Sequence, residues 1–103
     1  MNDVIEVKGI NGTISFDGRL VKIRRSGIWT ESFGREERVY PLARISGVEL
    51  SRGSLIAHGS LTIRPSGVEA RRGKPNKNPD AVIFRTGRYD RFAAFRDAIL
   101  AAM

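Results

Sequence analysis

The chain has 103 residues, 41% of them hydrophobic, with 18 Lys and Arg against 11 Asp and Glu for a formal net charge of +7. That length suits one domain over residues 1–103 with core enough to fold unaided. The absence of cysteine excludes a disulfide framework, a thiol nucleophile and a thiolate metal site.

The N-terminus carries early acids and no apolar run of secretory length, and no segment approaches the roughly 18 apolar residues of a membrane span. A soluble cytoplasmic protein is expected, peripheral at most to a membrane. The positive charge draws the chain toward polyanions. Fourteen of the 18 basic residues are Arg, which a GC-rich coding sequence explains as readily as phosphate binding does.

A first strand is expected near residues 4–7, and Gly9 and Gly12 bracket a reversal or bulge around Ile10-Asn11. Residues 7–25 then read as a hairpin about Asp17-Gly18, whose residues tolerate positive φ. Ile14, Phe16, Val21 and Ile23 alternate to one face, and Ser15, Lys22 and Arg24 to the other. Residues 26–37 fit either a long loop or, preferably, a strand through 28–33 with a turn at Gly34-Arg35. Residues 38–42 resume an extended pattern, and Pro41 places that strand at an edge or at its own end. A short helical connector through Ala43 leads to a strand over 46–51 with Val48 and Leu50 inward.

A turn at Arg52-Gly53-Ser54 follows, and residues 55–58 are candidates for pairing. Residues 61–64 alternate as a strand, and Pro65-Ser66-Gly67 turns the chain into a further hairpin strand over 68–71. Residues 72–80 have no apolar side chain and are expected to be a mobile basic loop. Val82, Ile83 and Phe84 form a buried last strand. From Arg88 onward there is neither Gly nor Pro, and Phe92, Phe95, Ile99 and Ala102 recur at helical spacing, so an amphipathic C-terminal helix is expected. Six or seven antiparallel strands and one helix make an α+β layout in which the helix covers or plugs a curved sheet.

Several strings carry a resemblance beyond this pattern: Val7-Lys8-Gly9-Ile10-Asn11-Gly12, Ile14-Ser15-Phe16-Asp17-Gly18, Val21-Lys22-Ile23-Arg24-Arg25, Pro41-Leu42 with Ile45 and Val48, Val82-Ile83-Phe84-Arg85, and Phe92 with Phe95-Arg96-Asp97-Ala98-Ile99. In this order they resemble a pleckstrin-homology-like domain. More narrowly they are similar to a small actinobacterial family of unknown function, often found beside a short C-terminal SHOCT domain. The residues expected to follow the helix up to Met103 are too few for a SHOCT segment, a departure from that pattern. The resemblance implies a bent antiparallel barrel of about seven strands, capped at one end by the C-terminal helix. It implies no catalytic residue, and nominates Lys22 and Arg24 as the positions where such domains contact anionic head groups.

His58 is the sole histidine and has no acidic cluster beside it in sequence, so a His-based triad or multi-histidine metal site is excluded. Glu36-Glu37 lies between Arg35 and Arg38 and reads as a charge-mixed turn. Gly9-x-x-Gly12 lacks the Gly-Lys-Ser/Thr of a phosphate loop. Two basic groups are candidate anion-binding residues: Arg71, Arg72, Lys74 and Lys77 on the loop, and Lys22 and Arg24, with Arg25, on the outer face of a strand. The Asp17-Gly18-Arg19 loop is too short to cradle a multiply phosphorylated head group. The aromatics Phe16, Phe84, Phe92 and Phe95 point inward, which leaves no row of stacking platforms for single-stranded nucleic acid. Trp29 and Phe33 are the candidate protein-binding residues, or Trp29 closes one end of the barrel.

The expected function is a non-enzymatic binding module that uses no cofactor. It docks a protein or peptide, aided by weak attraction to anionic membrane lipid, with strand addition near Arg38 and Tyr40 as another mode of docking. The alternative is a small basic nucleic-acid-associated regulatory protein, of bacterial or phage origin.

Overall fold

The structure is a computed structural model that describes residues 4–25, 27, 29–34, 37–54, 57–67 and 78–103, the side chain of Ser32 excepted. Strands β1 (Ile5–Lys8), β2 (Thr13–Phe16), β3 (Leu20–Arg24) and β4 (Arg38–Pro41) form one antiparallel sheet in that order. Strands β5 (Ile45–Ser51), β6 (Gly59–Pro65) and β7 (Ala81–Phe84) form a second, also antiparallel and in sequence order. A short helix α1 (Trp29–Phe33) lies between β3 and β4, and the chain ends in helix α2 (Tyr89–Ala102).

The β2–β3 hairpin follows from local chemistry. Asp17 Oδ1 accepts the N–H groups of Arg19 and Leu20, each at 2.8 Å, while Gly18 takes φ 98°, a value that needs glycine. Those two N–H donors, Leu20 foremost, hold the Asp17 carboxyl below its ordinary range. In the resulting register Phe16 faces Val21 and Ile14 faces Ile23, so all four share one buried face. The opposite face carries Ser15, Lys22 and Arg24, as the alternation requires.

That buried face meets Leu61 and Ile63 of β6, Val82 and Phe84 of β7, and Phe92, Phe95 and Ile99 of α2 in one core. Phe84 and Phe92 stack with centroids 4.1 Å apart. β7 is buried along its whole length, as expected of its unbroken apolar run. Val48 and Leu50 of β5 pack onto the core while Glu49 faces solvent and pairs with Arg64 of β6.

Four expectations are corrected. First, the seven strands do not close into a single barrel. The passage from β4 to β5 runs through a 3-10 turn, Leu42–Arg44, which follows a proline that has no N–H to give. At the other side the β1–β2 turn meets β7, where Ile10 N–H donates to Ile83 O at 2.8 Å. Second, α1 stands where a strand was expected. Trp29 and Phe33 are four residues apart, the spacing of one helical face, and Gly34 at φ 84° ends the helix while its N–H donates to Thr30 O.

Third, the segment 72–80 does not end as a solvated loop. Asn78 Oδ1 accepts the Asp80 N–H, a turn that tucks Asp80 into the interior. Fourth, Ala102 is exposed and not part of the buried helix stripe. The expected strand over 68–71 and most of the 72–80 loop lie outside the described residues, as do Leu55 and Ile56 of the expected 55–58 pairing; Ala57 and His58 are described, and neither is in a strand. No helix among the described residues is long and apolar enough to cross a membrane.

Candidate docking surface

The positions of β4 and of the chain's polar side chains are set by a buried cluster between the two sheets. Continuing the β3 alternation past Val21 and Ile23 turns Arg25 inward, and it is indeed buried. Its guanidinium donates to Asn11 O at 3.1 Å, Pro79 O at 3.1 Å and Ala81 O at 2.7 Å, joining β3 to the start of β7. The Phe33 ring of α1 covers it, with the guanidinium carbon 4.3 Å from the ring centroid. Burial lowers the Arg25 guanidinium below its ordinary value, and the Arg38 charge adds to this. Arginine keeps its proton regardless.

Beside it, Tyr40 Oη donates to Asp80 Oδ1 at 2.5 Å, and Arg38 donates through Nε to Tyr40 Oη and through Nη2 to Asp80 Oδ1. Burial, then the Asp80 hydrogen bond, raises the Tyr40 phenol well above its ordinary value. For Arg38 burial acts downward, but the Tyr40 hydroxyl and Asp80 outweigh it and hold its guanidinium above the ordinary value. On the far side Asn11 Oδ1 accepts the Ile83 N–H at 2.9 Å. Since Gly9 lies directly against Ile83 O and Val82 Cγ1, with no room for a side chain, the β1–β2 turn is fixed to β7 by packing as well.

With its inner residues Arg38 and Tyr40 so anchored, β4 is left as an edge strand. Leu42 N–H donates to Arg19 O at 2.8 Å. In an antiparallel ladder this makes Leu20 and Pro41 a non-hydrogen-bonded pair, so that Val39 and Pro41 turn their backbone groups away from β3. Pro41 offers a carbonyl and no N–H there, and Val39 offers both. The side chain of Val39 is 48% exposed.

Hollows border both halves of this edge. A polar one of about 370 Å³ is lined by Phe33, Glu37, Arg38, Val39 and Tyr40. A larger, apolar groove of about 630 Å³ runs between Leu20, Pro41, Leu42 and Ala43 on one side and Ala102 and Met103 on the other, with Gly18 and Arg19 at its rim. The polar hollow gathers Glu37, Arg38 and Tyr40, of which Arg38 and the Tyr40 hydroxyl are engaged with Asp80. Among the described residues no group of three or more His, Cys, Asp or Glu side chains comes together.

Of the residues singled out by sequence, Trp29 and Phe33 share α1 and are both half-buried, Phe33 holding Arg25 and bordering the polar hollow. Lys22 and Arg24 stand side by side on the outer face of β3, and the register adds Lys8, which lies across Thr13 from Arg24. Arg25, grouped with them by sequence, is turned to the interior and is no part of that surface. Arg71, Arg72, Lys74 and Lys77 lie outside the described residues. The groove residues Leu20, Leu42 and Ala43 were missed; the signal available was Pro41, which stops β4 and turns the apolar Leu42 into the connector that follows.

No curated protein and no solved structure matches the chain. A family model described as a domain of unknown function, DUF4429, matches residues 14–100, which include the β2–β3 hairpin, the β4 edge and most of α2. On that match over most of its length, the chain belongs to the DUF4429 family.

Proposed function

We propose that this domain is a non-enzymatic binding module that docks a protein or peptide partner as an extended segment along the outer edge of β4. The observation that carries this reading is the apolar groove at Leu20, Pro41, Leu42 and Met103, continuous with an edge strand whose Val39 has a free N–H, a free C=O and an exposed side chain. An extended segment places apolar side chains in the groove, pairs its backbone with Val39, and presents an acidic side chain to Arg19 at the rim. The single backbone pair at Val39 limits strand addition, so the groove supplies most of the affinity and the edge supplies direction.

The fold we read as pleckstrin-homology-like, supported by the order of seven antiparallel strands in two sheets followed by one helix. The net charge of +7 adds weak attraction to an anionic membrane face. A nucleic-acid-associated role is the second reading, favoured by Lys8, Lys22 and Arg24 on the outer face of the first sheet.

The test is selection of binders from a random-peptide library, with affinities then measured for the wild type, Leu42→Glu and a Lys22→Glu/Arg24→Glu variant at low and high salt. Docking in the groove predicts peptides that lose about tenfold or more in affinity to Leu42→Glu, equivalent to about 1.4 kcal/mol, with little salt dependence. Failure to select any peptide, or binding that ignores Leu42→Glu, overturns the reading. Duplex DNA that binds the wild type and releases steeply with salt, with loss in Lys22→Glu/Arg24→Glu, establishes the second reading.

A further inference from the structure

A third hollow, of about 380 Å³, is lined by Lys8 at the end of β1, Gly9 and Ile10, Phe84 at the end of β7, and Arg85 and Arg88 at the entry to α2. We propose that it is a binding site for a phosphate-class oxyanion, independent of the β4 groove. Three cations from two segments distant in sequence converge on it and no acidic side chain lines it. Among the described residues none of the three takes part in an ion pair.

The convergence is built by the backbone. Residues 86–88 form a 3-10 turn in which Arg88 N–H donates to Arg85 O at 2.8 Å. Side chains three apart in such a turn eclipse one another, so Arg85 and Arg88 emerge on the same side. Across from them Lys8 is held by the β1–β2 turn, which is pinned to β7 through Ile10 and Asn11 and through the close approach of Gly9 to Ile83. The floor is therefore rigid: Gly9, Ile10 and a fully buried Phe84 stacked on Phe92.

The cation pair also opposes local stability. Arg88 occupies the N-cap of a 14-residue helix without any side-chain capping bond, and its charge meets the positive end of the helix dipole. Mutual repulsion of Lys8, Arg85 and Arg88 adds to that. An oxyanion relieves both, accepting charge-assisted hydrogen bonds from two guanidinium forks and an ammonium. Inorganic phosphate and the phosphomonoester of a lipid head group share this chemistry.

The experiment titrates the full chain with inorganic phosphate while following backbone amide NMR shifts. Three proteins are compared: wild type, Arg85→Gln/Arg88→Gln, and Lys22→Gln/Arg24→Gln, the last two having equal net charge. The site predicts saturable shifts confined to Gly9, Ile10 and residues 84–88, about tenfold or more weaker in Arg85→Gln/Arg88→Gln and unchanged in Lys22→Gln/Arg24→Gln. The spectra themselves report whether each variant is folded.

A parallel arm uses vesicles containing phosphatidic acid or an equal charge of phosphatidylserine. Preference for phosphatidic acid that is lost in Arg85→Gln/Arg88→Gln assigns the oxyanion to a lipid head group. Saturation by inorganic phosphate without that preference assigns a soluble phosphate. Equal weakening in the two variants, shifts spread over the basic surface, or no response to either probe overturns the proposal. Leu42→Glu, which disables the groove, leaves phosphate binding intact, so the two sites stand or fall separately.

Discussion

Arg25 shows how much one side chain carries in this domain. Its guanidinium serves three carbonyls, those of Asn11 and Ala81 buried and that of Pro79 partly so. Replacing it by Met keeps the stem and strands those acceptors, so Arg25→Met is expected to cost about 2–3 kcal/mol, read as a lower urea midpoint. Arg25→Lys should recover only part, because an ammonium lacks the fork that reaches all three. In the sequence Arg25 stands as the third member of a basic string, although strict alternation from Val21 and Ile23 points it inward; its charged neighbours obscure the period. Tyr40 adds a pH signature. Its phenol is raised in the folded state by burial and by Asp80, so the folded chain holds this proton where the unfolded chain has lost it. The corresponding stability is complete below the ordinary tyrosine value near 10.0 and is lost as pH rises above it. Thermal denaturation from neutral to strongly alkaline pH should show a steeper decline for wild type than for Tyr40→Phe, and parallel curves would refute the linkage.

At the scale of elements, the β2–β3 hairpin was fully legible, because a period of two and an Asp-Gly turn state strand, register and buried face together. Helix α2 was nearly as clear: Phe92, Phe95 and Ile99 are buried at the expected spacing. Phe92→Ala removes the ring stacked on Phe84 and should cost about 3–5 kcal/mol. That is a large share of the roughly 5–15 kcal/mol expected for a whole domain, so this variant should be largely unfolded at moderate temperature. Helix α1 was misread because five residues are too few for a periodic signal, and Ile28, Trp29 and Phe33 carry strand propensity. Such a short helix is unstable alone and persists here through contact of Phe33 with Arg25. Phe33→Ala should therefore loosen α1 and lower stability by about 1–2 kcal/mol, visible as faster amide exchange at Thr30 and Gly34 while β6 and β7 stay protected.

For the molecule as a whole, pair formation within each sheet was legible, but the way the two sheets meet was not. Their junction depends on contacts such as Asn11 with Ile83 and Tyr40 with Asp80, partners too far apart in the chain for any local pattern to reveal. The same distance hid the β4 groove, assembled from the first hairpin, the end of β4 and the end of α2. The net charge of +7 acts at this scale too: like charges repel across a domain whose dimensions are comparable to a few Debye lengths. Melting temperature should rise as neutral salt is added, and a flat or falling curve would show that specific ion pairs outweigh the net field.

The neighbour-to-neighbour order of the first sheet has a consequence for synthesis. Strands β1 to β4 can pair as soon as Pro41 has left the ribosome, since each bonds only to its neighbours in sequence. The last of the side chains that cover their greasy face, Phe92, Phe95 and Ile99, are translated some fifty residues later. At about 5–20 residues per second this interval lasts roughly 3–10 s. Until β6, β7 and α2 have all followed, a finished half-sheet trails the ribosome with Ile14, Phe16, Val21 and Ile23 incompletely covered, a surface on which a nascent-chain chaperone has time to act.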